Sequence, residues 1–472
     1  MRICLVNGPR FNGRPTRKTS VCLPLASLGA VARRAGHEVV GIDGILIGDP
    51  AAIAAQVKAA SPDVVGLTTN TNDRLPALAT LRLIRRALPH AFIVVGGPHF
   101  AYAPVNALTV VKEIDAVVVG EGEDAFLELL ERLPDRRAFN EVDGLVFRDP
   151  DGQIVRNPPR QTMARLDSLP MPAWDLFDPR QYDLDIATAG PRTLGLMTTR
   201  GCPYCCAFCA NSLDRRLRFL SPALAIDQVQ HLHTTYGIRA FTFFDDAFLA
   251  SKTHATALCE EILRRGLKIT WWCGARAAGL DDDVLALMRR AGCTGITFGV
   301  ETGTDEVLKA VHKNVTTAQM LEAFAQVARA GFEHIVAFLI VGLPGETPDT
   351  LDRTVRFVRQ LKAIAGKAWE GDSAIGELPL IYPGTELETL ACRDGTFAKD
   401  FSWNAPFLEP KRFLPLVNRR YWAVPHYETP TFPLADICHH VKRHYWEELT
   451  PGRRRRFALA PVRRALHRLG LY

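Results

Sequence analysis

Residues 194–209 read Leu194-Gly195-Leu196-Met197-Thr198-Thr199-Arg200-Gly201-Cys202-Pro203-Tyr204-Cys205-Cys206-Ala207-Phe208-Cys209. The first five are an apolar run of strand length, and the loop after it holds four of the chain's eleven cysteines. The spacing C-x-x-x-C-x-x-C (Cys202, Cys206, Cys209) suits an iron–sulfur cluster: three thiolates hold a cubane and leave one iron open to a small molecule. The same residues contain C-x-x-C-x-x-x-C (Cys202, Cys205, Cys209). Zinc would want a fourth protein ligand, for which Cys205 is at hand.

From Leu194 onward, short β-branched or aromatic runs alternate with helical stretches. The strand candidates are Leu194–Thr198, Ala240–Phe244, Ile269–Cys273, Gly295–Val300, Ile335–Val341 and Ala374–Ile381. Six βα units fall short of a closed eight-stranded barrel, so the spacing predicts a partial (β/α)6 barrel, open on one side, with its chemistry at the C-terminal strand ends. The cysteine loop stands at one such end. Asp245 and Asp246 stand at the next, where paired carboxylates accept hydrogen bonds from an ammonium or a ribose, or simply cap a helix. Arg276 follows the third strand and could clasp a carboxylate with its guanidinium fork or remain a surface charge. Glu301 ends the fourth, as a ligand contact or an ordinary ion pair.

Before the barrel, residues 1–135 show the same rhythm. Strand candidates Arg2–Val6, Glu38–Ile42, Asp63–Leu67, Phe92–Val95 and Ala116–Val119 alternate with helical stretches. Five βα units predict a parallel, doubly wound, flavodoxin-like sheet, with its ligand beyond the carboxyl ends of the strands. Those ends carry Asn7-Gly8-Pro9, Thr68-Thr69-Asn70, Gly96-Gly97-Pro98-His99 and Gly120-Glu121-Gly122-Glu123. With no G-x-G-x-x-G in the first turn and no G-x-x-x-x-G-K-[ST] anywhere, nicotinamide dinucleotides and P-loop nucleotides are disfavoured. Gly144–Asn157 reads as a hairpin, and Leu169–Trp174, rich in proline, as an extended connector with an aromatic anchor. The divisions are then 1–140, a 141–190 linker, 191–385 and a 386–472 extension.

The chain has 472 residues, 47% apolar and 23% charged, which excludes disordered, fibrous and collagen-like classes. No apolar run approaches the ~20 residues of a membrane span, and the N-terminus opens directly into strand-like sequence, so a cytoplasmic protein with reduced thiols is expected. The formal charge of +6 belongs to residues 441–472 and residues 1–440 are close to neutral, so the basicity says nothing general about nucleic acid, and no nucleic-acid partner is expected. In the tail, Leu459, Val462, Leu466 and Leu469 share a helical face among arginines. Such a helix can lie on an anionic membrane or dock on its own domain, and Pro461 limits it to the later residues. Cys392 and Cys438 read as ordinary thiols.

The cysteine motif, with an aromatic before its last cysteine, resembles that of the radical S-adenosylmethionine (SAM) superfamily. The preceding doubly wound domain makes the chain similar to the subgroup with an N-terminal cobalamin-binding domain. Pro24–Asp43, Val94–His99, Val117–Glu123, Leu169–Trp174 and Gly342–Thr347 add to the likeness, which covers residues 1 to about 385. The resemblance implies a [4Fe–4S] cluster on Cys202, Cys206 and Cys209, with SAM chelated to the open iron. Asp245, Asp246, Arg276 and Glu301 would contact SAM, with Gly342–Gly345 near its adenine. The family spacing selects Cys206 over Cys205.

Cobalamin would occupy Asn7, Gly8, Thr68, Thr69, Gly96, Gly97, Gly120 and Glu121. Asp43-Gly44-Ile45-Leu46-Ile47-Gly48 has the spacing of a cobalt-ligating D-x-H-x-x-G, but Ile45 stands where histidine should and the run follows the wrong strand. A base-off cobalamin without a histidine on cobalt is therefore expected, and His99 is read as a loop residue. The activity implied is a radical SAM methyltransferase that carries a methyl from SAM through cobalamin to an unactivated carbon, drawing electrons from a flavodoxin or ferredoxin. Cyclisation, ring contraction or rearrangement with the same cofactors is the rival. Further alternatives are a non-catalytic electron carrier and a first domain kept only as scaffold. Tyr382, Trp403 and Tyr421 hint at a large apolar substrate.

Overall fold

The structure, a computed structural model, describes residues 1–186, 190, 192–210, 215–370, 377–396, 401–405, 424–429, 431–433, 435–437, 439–440 and 443–444. The basic tail, Tyr421 and Cys438 lie outside these residues.

Strands β1 (Arg2–Asn7), β2 (Glu38–Asp43), β3 (Val64–Thr68), β4 (Phe92–Gly96) and β5 (Ala116–Val118) form a parallel sheet in the order β2-β1-β3-β4-β5. The hairpin β6 (Leu145–Arg148) and β7 (Ile154–Arg156) extends it antiparallel. The order reverses at β1/β3, the switch point beside which doubly wound folds take ligands. Because side chains alternate across a strand, Ile3, Leu5 and Val64 join one core while Cys4, Val6 and Val65 join the other. Burial on both faces is why these strands read as unbroken apolar runs.

The first core continues through Trp174, Phe177 and Tyr182 of the linker into Leu194, Leu196 and Phe241 of the barrel. The linker is thus packed structure; Ala173 N–H donates to the Ala26 carbonyl at 3.0 Å.

The second sheet is parallel and ordered β8 (Thr193–Leu196), β9 (Ala240–Phe243), β10 (Thr270–Arg276), β11 (Cys293–Glu301), β12 (His334–Leu339), β13 (Trp369–Glu370), each strand beside its sequence neighbour. Helices Pro222–Tyr236, Lys252–Arg264, Asp282–Arg290, Thr317–Arg329 and Pro348–Ala365 make the crossovers. The last of these begins with Thr347, whose hydroxyl accepts from Thr350 N–H, followed by a proline at the first helical position. Among the described residues β8 and β13 are unpaired edges, so the barrel is open.

Two expectations need correction. The sixth strand starts at Trp369, where Ala374–Ile381 was expected; among the described residues of that run, Glu377 and Leu380 pair only in isolated bridges, with Ile340 and His426. Trp369 fixes the start by packing its ring 6.3 Å from Phe324 of a distant helix and beneath Lys362, an anchor that pattern reading does not see. Gly96–His99 does not lead into a loop: Pro98–Tyr102 is a helix, and it carries His99 to full burial.

Candidate functional site

The cysteine loop is fastened on three sides. Ala207 N–H donates to the Val311 carbonyl (3.1 Å), Leu387 N–H to the Ala207 carbonyl (3.0 Å), and the Tyr102 hydroxyl to the Ala210 carbonyl. First domain, barrel and C-terminal segment therefore all hold it. Cys202 is buried, Cys206 and Cys209 half-buried and Cys205 exposed. Burial pushes the Cys202 thiol up, with Asp246 and Cys206 adding to the rise against the Tyr204 backbone. Thiols gathered among negative neighbours fit a metal cluster, whose positive irons offset that repulsion.

At the end of β9, Asp245 is buried and its carboxylate accepts from Thr198 N–H (2.7 Å) and Oγ1 (2.7 Å) and from Thr199 N–H (2.6 Å) and Oγ1 (3.0 Å). Four bonds to the residues leading into the cysteine loop make Asp245 a strap beneath it, in place of the cofactor contact expected. Asp246 does face the cavity described below, and burial, reinforced by Asp245, raises its carboxyl to about 6. Asp245→Asn offers one acceptor oxygen where two are used, so about 2 kcal/mol of stability and part of the bound iron should be lost; thermal unfolding and iron analysis of the variant check this.

Arg276 lies over the Tyr204 ring, 4.0 Å from its centroid, and so braces the cysteine loop. Glu301 has a left-handed backbone (φ 65°) and is paired with Lys313 Nζ at 2.6 Å in buried surroundings, the ordinary ion pair that sequence reading left open.

A cavity of about 810 Å³ joins the C-terminal strand ends of the two domains. Thr68, Gly96, Gly97, Gly120 and Glu121 line one side; Met197, Thr199, Arg200, Gly201, Cys209 and Asp246 line the other; Leu169–Pro172 of the linker closes a third. Gly97 (φ 82°, ψ −175°) occupies backbone space essentially restricted to glycine, and a Cβ there would sit 2.0 Å from Thr68 Oγ1. At Gly120 (φ 88°) a Cβ would meet nothing within 4 Å, so bare backbone faces open space. Such a cradle fits a bulky ring cofactor approaching the backbone closely.

Asn7, Gly8 and Thr69 are not part of this wall. Asn7 Nδ2 donates to Asp43 at 3.0 Å, Gly8 N–H donates to the Thr68 carbonyl at 2.9 Å, and the Thr69 hydroxyl turns to the Asn70 carbonyl. Asp43 caps helix Gly44–Ile47 and accepts from Tyr182 Oη at 2.8 Å, which explains the D-x-x-x-x-G spacing structurally. His99 has one ring nitrogen on Thr71 (3.3 Å) and the other on Asn404 (3.2 Å); burial and the Arg74 charge push it down to about 3, so it is neutral.

Glu121 pairs with Arg200 (3.2 Å) and Arg218 (2.8 Å), and Glu123 with Arg200 (2.6 Å). Burial opposes ionisation of Glu121, yet Arg218 and Arg200 hold its carboxylate below the usual range. This network ties the β5 turn to the residue two before Cys202. Neither it nor Tyr102 and Leu387 was found from sequence, since partners so far apart leave no local pattern.

Glu346, in the turn Gly342–Thr347, is fully buried; one carboxylate oxygen accepts from Gly342 N–H and the other has no partner among the described residues. Burial raises its carboxyl to about 7. The folded state therefore binds this proton more tightly than the unfolded chain. Stability should fall as pH rises from the ordinary carboxyl range through 7, by about 3 kcal/mol in total. Glu346→Gln keeps the acceptor without the titration, so its advantage over the wild type in denaturant unfolding should be absent at pH 4 and full at pH 8.

A cysteine loop and a glycine cradle facing one cavity define an enzyme class that brings a thiolate-held cluster against a large ring cofactor. Known proteins agree. The Radical SAM superfamily matches residues 196–358, and the B12 binding domain residues 20–130. The uncharacterized methyltransferase PH0819 of Pyrococcus horikoshii is 31% identical over 395 residues, 82% of each chain. Cytidylyl-2-hydroxyethylphosphonate methyltransferase of Streptomyces wedmorensis is 31% identical over 322 residues, 62% of this chain and 60% of its own. The radical SAM methyltransferase TsrM of Kitasatospora setae, solved with tryptophan and a SAM analogue, shares the fold with a TM-score of 0.72 at 20% identity, over 96% of this chain and 89% of that one. The chain belongs to the radical SAM superfamily, in the group that carries a B12-binding domain.

Proposed function

We propose that this chain, by family a cobalamin-dependent radical SAM methyltransferase, delivers a methyl group to an unactivated carbon of a small molecule held between its domains. The observation that carries the proposal is the single cavity with Gly96, Gly97 and Gly120 on one wall and Gly201, Cys209 and Asp246 on the other. Cys202, Cys206 and Cys209 hold the cluster, and the glycine cradle takes cobalamin beside Thr68. When bound, the cluster supplies the electron that cleaves SAM and cobalamin supplies the methyl group. Asp246, on the cavity wall, is placed to accept from the SAM ammonium. Arg276 and Glu301 act at one remove, bracing Tyr204 and the end of β11.

Leu23, Leu28, Met171 and Leu224 make much of the remaining wall apolar, which excludes water and favours an apolar substrate. Trp403 lies elsewhere, in a small core with Ile381, Leu387 and Tyr427, and does not serve that role. The electron comes from an external carrier such as a flavodoxin or ferredoxin. Among the described residues no helix is long and apolar enough to cross a membrane.

The test is anaerobic reconstitution with SAM labelled in its methyl group. 5′-Deoxyadenosine and S-adenosylhomocysteine should form in equal amounts, with label in the product. Substrate consumption with 5′-deoxyadenosine alone and no label transferred would replace methylation by ring closure or rearrangement.

A further inference from the structure

Away from the cavity, the described residues hold another convergence of metal-ligating groups. Asp352 lies near the start of helix Pro348–Ala365, and His440 and His444 lie in helical backbone packed against it. One ligand atom from each lies within 4.8 Å of the other two. Histidines four residues apart project from the same side of a helix, the spacing by which helices present paired imidazoles to a metal.

A second observation concerns where these groups point. One guanidinium nitrogen of Arg443 lies 3.1 Å from Asp352 Oδ1, 3.4 Å from His440 Nδ1 and 3.5 Å from His444 Nε2. The guanidinium donates to Asp352 Oδ1 and His440 Nδ1, while His444 Nε2 donates its proton to the same Oδ1, so a cation stands where the three groups meet and a metal would release the Nε2 proton to take its lone pair. The carboxylate also reaches His444 Nε2 at 2.7 Å, which holds two of the three groups together. The Arg443 side chain is 45% exposed, free to swing into water and surrender its place.

We propose that Asp352, His440 and His444 form a site for a divalent metal ion of the zinc type, with water in the fourth position and Arg443 as the cation that holds the ligands together in its absence. Two imidazoles and one carboxylate are a donor set that zinc accepts in tetrahedral geometry. The site fastens the segment carrying His440 and His444 to helix Pro348–Ala365. Ile437, in the same segment, lies against Gly342, where a Cβ would come within 2.8 Å of it. Metal binding therefore steadies the segment that covers the turn after the fifth barrel strand.

The experiment uses full-length protein with its cluster reconstituted, so that the loop cysteines are already occupied. Zinc ion is titrated against a chromophoric chelator, and cobalt(II) serves as the spectroscopic probe. Wild type should bind one equivalent more than the His440→Ala/His444→Ala variant, and the cobalt spectrum should show ligand-field bands without thiolate charge transfer. Arg443→Ala should bind zinc about tenfold more tightly or better, because a competing charge at hydrogen-bond distance is gone. That gain in binding stands even where the histidine variant fails to fold. Equal stoichiometry in wild type and double variant, a thiolate band on the extra cobalt, or unchanged affinity in Arg443→Ala overturns the proposal. Because the readout is metal bound and not methyl transferred, its failure is separate from failure of the proposed activity.

Discussion

Cys206→Ala protein, purified and reconstituted without oxygen, should hold little iron and cleave SAM at least about a thousandfold more slowly than wild type, whereas Cys205→Ala should keep both iron and activity. Both spacings exist in the sequence, and the structure separates them by exposure. The Cys205 side chain stands in solvent, while Cys206 is half-buried and close enough to Cys202 to influence its thiol. A ligand facing away would leave four irons with two protein thiolates between them, and the cubane would be lost. Iron and sulfide content with the visible and electron-paramagnetic spectra decide the matter. Full cluster content in the Cys206 variant would reverse the assignment.

Gly97→Ala should lower bound cobalamin about tenfold or more while leaving the iron content intact. The added methyl group would sit 2.0 Å from Thr68 Oγ1, on a backbone that non-glycine residues adopt only at about 1–3 kcal/mol of strain. The loop must move, and with it the wall between β3 and β4. Gly97→Ala combined with Thr68→Ala removes the clash but keeps the backbone strain, so partial recovery of cobalamin is the outcome that assigns the loss to both causes. Cobalamin is read from its visible spectrum after gel filtration. Unchanged occupancy in Gly97→Ala would show that the cradle lies elsewhere in the cavity.

The first sheet was legible because its strands are buried on two faces, and the barrel strands because they too stand out as apolar runs between helical stretches. The sixth barrel strand was missed because Trp369-Glu370 is too short to show a period. Its anchor is one ring packed on a distant helix. The cysteines were legible because their ligation is local. The rest of the site was not. Asp245 and Asp246 look alike in sequence, yet one is consumed by Thr198 and Thr199 and the other faces the cavity. Glu121 was read as a cobalamin contact, and its ion-pair partners went unseen because they are about 80 and 100 residues away along the chain, a separation at which no spacing rule operates.

Arg74 and His99, both fully enclosed, are closed over by Trp403 and Asn404, far along the chain. Arg74 Nε donates to the Trp403 carbonyl at 2.7 Å and His99 meets Asn404, some three hundred residues downstream. Until residue 404 has been translated, a guanidinium and an imidazole near the cobalamin-side domain's ligand turns stay wet. The polar interior of the first domain is therefore completed by a segment far along the chain, so the two cannot reach their final state independently.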